Sequence, residues 1–237
     1  MVINQISLNP FSTARTLGIV AFLLVLASIA WQLAAYWTGH DSIYGLVQLF
    51  YVDAEQNIPT FFSAFLLLFA TLLLMVITML KRGQRAAYVL HWATLALGFL
   101  LMAADEILSQ HERLVEPMRK LLGDGNLGVF YFAWIIPGIV LVLVFGLLFL
   151  KFLLHLPAKT RHSFLMAATL YVGGAIGFEL IGGRYSELHG AQNLTYSMIA
   201  TTEESLEMAG VIFFIRALLV YIAENYKEVR FRFDGVR

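Results

Sequence analysis

The 237-residue chain is 59% hydrophobic and only 14% charged, with a mean hydropathy of +0.76, which is too apolar for a water-soluble domain of this length. Sixteen Lys and Arg balance sixteen Asp and Glu, and there is no cysteine. Disulfides and thiolate metal sites are therefore excluded, and any metal must be held by oxygen and imidazole.

Crossing a ~30 Å hydrocarbon core takes about 20 apolar residues, and six runs of that kind occur in order. The first, 17–37, follows sixteen mostly polar residues whose one basic member is Arg15; it is too long for a signal-peptide core and lacks a small-x-small cleavage site, so it reads as a retained span. The loop 38–59 contains "SIYGLVQLFYV", too short to span and aromatic enough to lie in the interface as a short helix. The second run, 60–80, ends in a basic loop, Lys81 to Arg85. The third, 86–106, is followed by a loop that begins helical and breaks at "GDGNLG". The fourth, 131–150, contains Pro137, which predicts a kink. The fifth, 163–183, carries "YVGGAIGFELIGG", where Gly173 and Gly177 lie four apart and predict close helix approach. A polar stretch without regular pattern, 184–202, then precedes the sixth run, 203–222. Its Asn193-Leu194-Thr195 sequon matters only in a secretory eukaryotic context. The expected fold is all-α, a single transmembrane domain over 1–237 built as a six-helix bundle.

Charge orients the bundle. With alternating spans, Arg15, Lys81, Arg82, Arg85, Lys151, Lys159, Arg161, Arg216, Lys227, Arg230, Arg232 and Arg237 fall on or toward one side, which the positive-inside rule makes cytoplasmic along with both termini. Among the acids only Glu224, Glu228 and Asp234 share that side. Acids contribute little to topology, so the opposite concentration of acids requires its own cause.

Four spans carry acids at the outer boundary: Asp53 and Glu55 before the second, Asp105, Glu106, His111 and Glu112 at the end of the third, Glu179, Glu187 and His189 on and after the fifth, and Glu203, Glu204 and Glu207 at the start of the sixth. At ~1.5 Å per residue, Glu179 and Glu207 lie about 6 Å inside the outer boundary. A carboxylate there must face the bundle interior, paired, protonated or bound to a cation. Glu106, Glu179, Glu204 and Glu207, with His111 and His189, are the expected metal ligands, and Asp53, Glu55, Asp105, Glu112, Glu187 and Glu203 are secondary candidates. Helical phase, carried on through Glu112, turns His111 away from Asp105 and toward the rim. Simpler readings compete. Thr201 and Glu204 match a capping box and early acids suit a helix dipole; Glu112 and Glu116 with Arg113, Arg119 and Lys120 read as a solvated helical face; Arg184 offers neutralisation of Glu179 or Glu187; His91, His155 and His162 read as structural.

Together "DAEQNIPTFFS", "DEILSQHE", "GGAIGFELIGG" and "TTEESLEMAG" resemble the ordered blocks of a family of uncharacterised bacterial six-helix membrane proteins. The resemblance covers Asp53 to Ile222 and implies a shared fold in a bacterial inner membrane; it carries no activity.

Three functions are compatible with this pattern. An oxygen-dominated cluster suits a divalent cation, Ca, Mg or Mn, with Fe or Zn open if both histidines join, and a bound metal admits a membrane enzyme acting at the outer leaflet. Di-iron bundles use Glu-x-x-His, which this chain lacks, as it lacks His-Glu-x-x-His and Gly-x-Ser-x-Gly. Carboxylates at one depth also suit a proton or cation transporter, although broken-helix repeats are missing. The third is a non-catalytic subunit or assembly factor of a membrane complex. The lipid bilayer is the expected partner, nucleic acid is not, and protein partners stay open.

Overall fold

The computed structural model describes residues 7–40, 44–123, 125–226 and 228–230. Lys227, Arg232, Asp234 and Arg237, which contribute to the charge asymmetry, lie outside the described residues, as do Ser42 and Ile43 of the interfacial stretch and Asp124 of the "GDGNLG" turn.

Among the described residues the chain is helical without strands: α1 (Pro10–Thr38), a short α2 (Leu46–Phe50), α3 (Ile58–Gly83), α4 (Val89–Leu108), α5 (Val115–Leu122), α6 (Ile135–His155), α7 (Ala158–Val172), a π-helical turn (Gly173–Phe178), α8 (Glu179–His189) and α9 (Leu194–Asn225). α7, the π turn and α8 form one continuous rod, so six units are long and apolar enough to cross a membrane. Six crossings put Pro10 and Asn225 on one face of the bundle, here the terminal face. The other is the far face.

Local chemistry sets the boundaries. Asn9 caps α1 by accepting from the Phe11 and Ser12 amides ahead of Pro10 at the first position, and Gly39, at φ 66°, ends the helix in the left-handed region. Pro137, expected within the fourth span, lies near its start. It is the third residue of α6, in the first turn, where no intrahelical partner awaits its missing N–H.

α9 is the axis. Its apolar stretch is 56% buried, against 44% for α3 and 17–22% for the other spans, and it packs on α1, α3, α7, the π turn and α8. Glycine permits this closeness. A Cβ on Gly210 would lie 2.7 Å from the Tyr171 amide nitrogen and 3.0 Å from the Ala167 carbonyl oxygen, so α7 and α9 meet backbone to backbone. Gly173 and Gly177 were expected to make such a contact and instead have nothing within 4 Å of a Cβ; the glycine that meets α9 is Gly174, 2.8 Å from the Glu203 carbonyl oxygen. The π turn winds with a wider period than an α-helix, which changes the facing position.

Toward the terminal face the core is aromatic: Trp92 meets Phe152 edge-on at 5.1 Å, and Phe99 stacks on Phe214 at 4.7 Å. His91 and His155 join this layer through Tyr88 and Phe149, a structural role. Phe22, Leu72, Leu101 and Leu147 remain exposed on the outside of the bundle, the surface that acyl chains cover.

Candidate functional site

The far half of α9 carries the densest acid group, and its position differs from expectation. The helix starts at Leu194, where the Asn193 side chain accepts from the Tyr196 amide, so the stretch 184–202, expected to lack regular pattern, is helical through His189 and again from Leu194. Glu203, Glu204 and Glu207 therefore lie nine, ten and thirteen residues inside α9, beyond the reach of a first-turn dipole, which fades within one turn. Nor is Thr201 a cap; its hydroxyl donates to the Ser197 carbonyl at 2.7 Å. Centring a helix of ~48 Å on a ~30 Å core leaves Glu203 about 5 Å and Glu207 about 11 Å inside the hydrocarbon.

Opposite them stands Glu179, the first residue after the π turn. Single π turns concentrate at functional sites because they re-aim the side chains beyond them. The Trp134 indole N–H donates to Glu179 Oε1 at 2.8 Å, and the Glu203 carboxylate lies beside that of Glu179. Behind Trp134 the His111 ring packs at 4.9 Å between centroids.

The third span's exit also overturns an expectation. α4 stops at Leu108, and Ser109, at φ 47°, reverses the chain, so helical phase does not extend to His111. Instead His111 folds back: its amide donates to Asp105 Oδ1 at 2.9 Å and its Nδ1 lies 2.8 Å from Oδ2. Burial works against the imidazolium, but the hydrogen bond and charge of Asp105, with Glu112 and Glu179 nearby, hold the His111 pKa above the ordinary histidine value.

The loop before α3 supplies Asp53. Buried Asn57 organises it, accepting from the Thr60 amide at 3.0 Å to cap α3 while donating to the Gln48 and Tyr51 carbonyls. Tyr51 donates its hydroxyl to Asp53 Oδ2 at 2.9 Å. Asp53 keeps an exposed edge, yet desolvation by the surrounding protein outweighs the Tyr51 hydrogen bond, and with the charges of Glu179, Glu112 and Glu55 it pushes the carboxyl up to about 6.

Glu204 lies within the electrostatic reach of Glu207, Glu106, Glu203 and Asp53. The six acids thus come from the α3 loop, α4, α8 and α9. Between Glu106 and Glu207 lies a cavity of about 10 Å³, walled also by Ser63, Tyr171, Leu66 and Met208, about the least room that holds one water. The Tyr171 hydroxyl lies beside the Glu207 carboxylate. Among the described residues none of Asp53, Glu106, Glu179, Glu203, Glu204 or Glu207 pairs with Lys or Arg; the ion pairs of this half are His111–Asp105 at 2.8 Å, Arg184–Glu187 at 2.9 Å and the exposed Lys120–Glu116 at 3.7 Å. A salt-bridge lattice therefore does not account for the core acids. Nor, among the described residues, do three His, Asp or Glu side chains stand arranged to hold a metal ion.

The remaining candidates sit outside this core. Glu187 accepts from the Gly128 amide at 2.9 Å besides pairing with Arg184, tying α8 to the loop before α6. His189 is exposed and stacks on Tyr185 at 4.6 Å. Glu55 and Glu112 are exposed, Glu55 near Glu106 and Asp53. Sequence reading missed Tyr51, Ser63, Tyr171 and Trp134, for a lone hydroxyl or indole in an apolar run carries no spacing signal. It also missed Gln32, buried in α1, whose amide donates to Ser28 Oγ at 2.8 Å and Thr201 Oγ1 at 3.3 Å, pinning α1 to α9.

Fold and composition together define a multi-pass, all-helical membrane protein with a group of uncompensated acids in one half of its bundle. The chain belongs to the family described as Domain of unknown function (DUF8692), whose model matches residues 16–222 and so spans all four sequence motifs. No curated protein and no solved structure matches it.

Proposed function

We propose that this protein is a cation-binding membrane protein whose far-face carboxylate cluster takes a hard divalent cation, calcium, magnesium or manganese. One observation carries the reading: six carboxylates from four chain segments gather in one half of the bundle, five of them half-buried and Asp53 at the exposed edge, and none pairs with Lys or Arg among the described residues. Like charges in a low dielectric repel strongly, and a divalent ion held by oxygen donors relieves that repulsion. Glu106 and Glu207 border the small cavity and supply the first ligands with their neighbour Glu204, and Glu179 and Asp53 come next. The side chains do not chelate in the arrangement described, so binding draws those carboxylates inward by rotation about their side-chain bonds. His111 is engaged by Asp105 and serves as the cluster's nearest positive charge rather than as a ligand. By the positive-inside rule the site opens on the face away from the cytoplasm, and the family resemblance suggests a bacterial inner membrane. No catalytic role is assigned.

Proton uptake at the same cluster is a second reading, favoured by Glu179 and Glu203 lying carboxylate beside carboxylate, an arrangement in which one proton is shared. Elemental analysis of detergent-purified protein beside a Glu179→Gln, Glu207→Gln double variant tests the first reading. Stoichiometric metal in the parent and none in the variant supports it. Metal absent from the parent, with no rise in thermal midpoint on adding calcium, magnesium or manganese, sinks it, and proton release on alkaline titration that the variant lacks then supports the second.

A further inference from the structure

A separate feature lies between α1 and α9. α1 and α9 are pinned together toward the far face by Gln32 and Thr201, and on the terminal side of that contact a groove of about 520 Å³ opens between them, within the range of about 300–1,000 Å³ typical of ligand pockets. Its walls are small or apolar, among them Gly18, Ala21 and Val25 of α1 and Ala209 and Ile212 of α9.

The ends of this groove differ. At one end stand Arg15 and Arg216. Arg216 belongs to the terminal third of α9, and its guanidinium lies 4.5 Å from the centre of the Phe11 ring, which places it level with the first turn of α1 and hence at the membrane boundary. Neither arginine makes an ion pair among the described residues. From Arg15 the groove runs to Val25 along α1, and from Arg216 to Ser205 along α9. Ten and eleven residues at ~1.5 Å each give about 15 Å, half the ~30 Å hydrocarbon core. The groove is therefore about as long as one leaflet is thick, apolar over most of its length and doubly cationic at its terminal end.

We propose that it seats one acyl chain of an anionic phospholipid from the terminal-face leaflet, with the lipid phosphate between Arg15 and Arg216. Basic pockets between membrane helices recognise anionic headgroups by this charge complementarity, and guanidinium groups favour phosphate through paired N–H donors. The apolar walls supply what a free phosphate does not use. The deep end of the groove, at Ser205 and Met208, adjoins the carboxylate cluster, but no cluster carboxylate lines it and the headgroup contacts at Arg15 and Arg216 lie nearer the terminal face than Glu207.

Native mass spectrometry of the protein released from nanodiscs of mixed phosphatidylglycerol and phosphatidylcholine tests this. The parent should retain phosphatidylglycerol over phosphatidylcholine by about thirtyfold, about 2 kcal/mol for two arginines at the leaflet surface. Arg15→Gln with Arg216→Gln should abolish the preference, whereas Arg15→Lys with Arg216→Lys should keep part of it. Ala21→Phe, which fills the groove and leaves both charges, should also lose the retained lipid. Equal retention of the two lipids by the parent would overturn the proposal, as would retention unchanged in the double Gln and Ala21→Phe variants. So would displacement of the lipid by millimolar inorganic phosphate, which would make the site one for free anions.

Discussion

Replacing Asn57 by alanine removes the side chain that shapes the Asp53 loop, and the cost can be worked from its contacts. The Thr60 amide loses its cap, about 1 kcal/mol, and two carbonyls, of Gln48 and Tyr51, lose a donor, each worth about 0.5–1.5 kcal/mol net and more where the acceptor is left buried. The sum is about 2–4 kcal/mol. For a chain of this length about 2–4 °C of thermal midpoint accompanies each kcal/mol, so Asn57→Ala should melt roughly 4–16 °C below the parent in detergent, monitored by circular dichroism at 222 nm. Asn57→Ser restores an N-cap oxygen but does not reach the two carbonyls, and it should recover only about the 1 kcal/mol of the cap. An alanine variant melting within about 1 °C of the parent, or a serine variant that recovers everything, would refute the assignment of this side chain as the loop's organiser.

Gly210→Ala should destabilise by about 1–3 kcal/mol, because the new methyl meets the Tyr171 and Ala167 backbone, and Gly174→Ala should do the same against the Glu203 carbonyl; Gly146→Ala, with open space at its Cβ, should cost nothing, and equal midpoints for all three would contradict the described packing. Stability should fall as pH rises across two windows. Asp53 has a folded pKa of about 6, above its unfolded value, so its contribution is full below the unfolded value and lost as pH passes 6. His111 is also raised in the folded state, so its contribution is full below the usual histidine value and lost as pH climbs through the folded one. Asp53→Asn should flatten the acidic part of the profile and His111→Gln the neutral part, and a profile unchanged by both would show that neither titrates as described. Trp134→Phe deletes the donor to Glu179 Oε1 while keeping the ring's packing, and should weaken manganese binding by about tenfold, the scale seen when an outer partner of a metal ligand is removed; isothermal titration reads it, and unchanged affinity would separate Glu179 from the site.

The six spans were legible because a bilayer imposes a length and an apolarity that few other structures need. Their ends were less so. The rod through α8 and the early start of α9 were hidden because 184–202 is polar, and helices that project beyond the hydrocarbon lose the apolar signal while keeping their hydrogen bonds. That error also produced the capping-box reading of Thr201 and Glu204, which assumed a helix starting near Glu203. His111 was misplaced because uniform helical phase was carried past Ser109, whose positive φ ends α4 and has no sequence marker as strong as Gly or Pro. The π turn was hidden in the same way: "GGAIGF" reads as ordinary small-residue packing, and only the backbone shows that Gly174, not Gly173 or Gly177, meets α9. The convergence of Glu106, Glu179, Glu204 and Glu207 was readable because carboxylates at one membrane depth have few reasons to be there.

Whether a cation occupies the carboxylate cluster can be seen in crystals soaked in manganese and measured near its absorption edge. One anomalous peak per chain is expected, between the carboxylates of Glu106 and Glu207 beside the Tyr171 hydroxyl, and it should vanish in Glu207→Gln. A saturating soak that leaves this cavity without a peak, or that places the ion only among the exposed acids Glu55, Glu112 and Glu116, would contradict cation binding at the cluster.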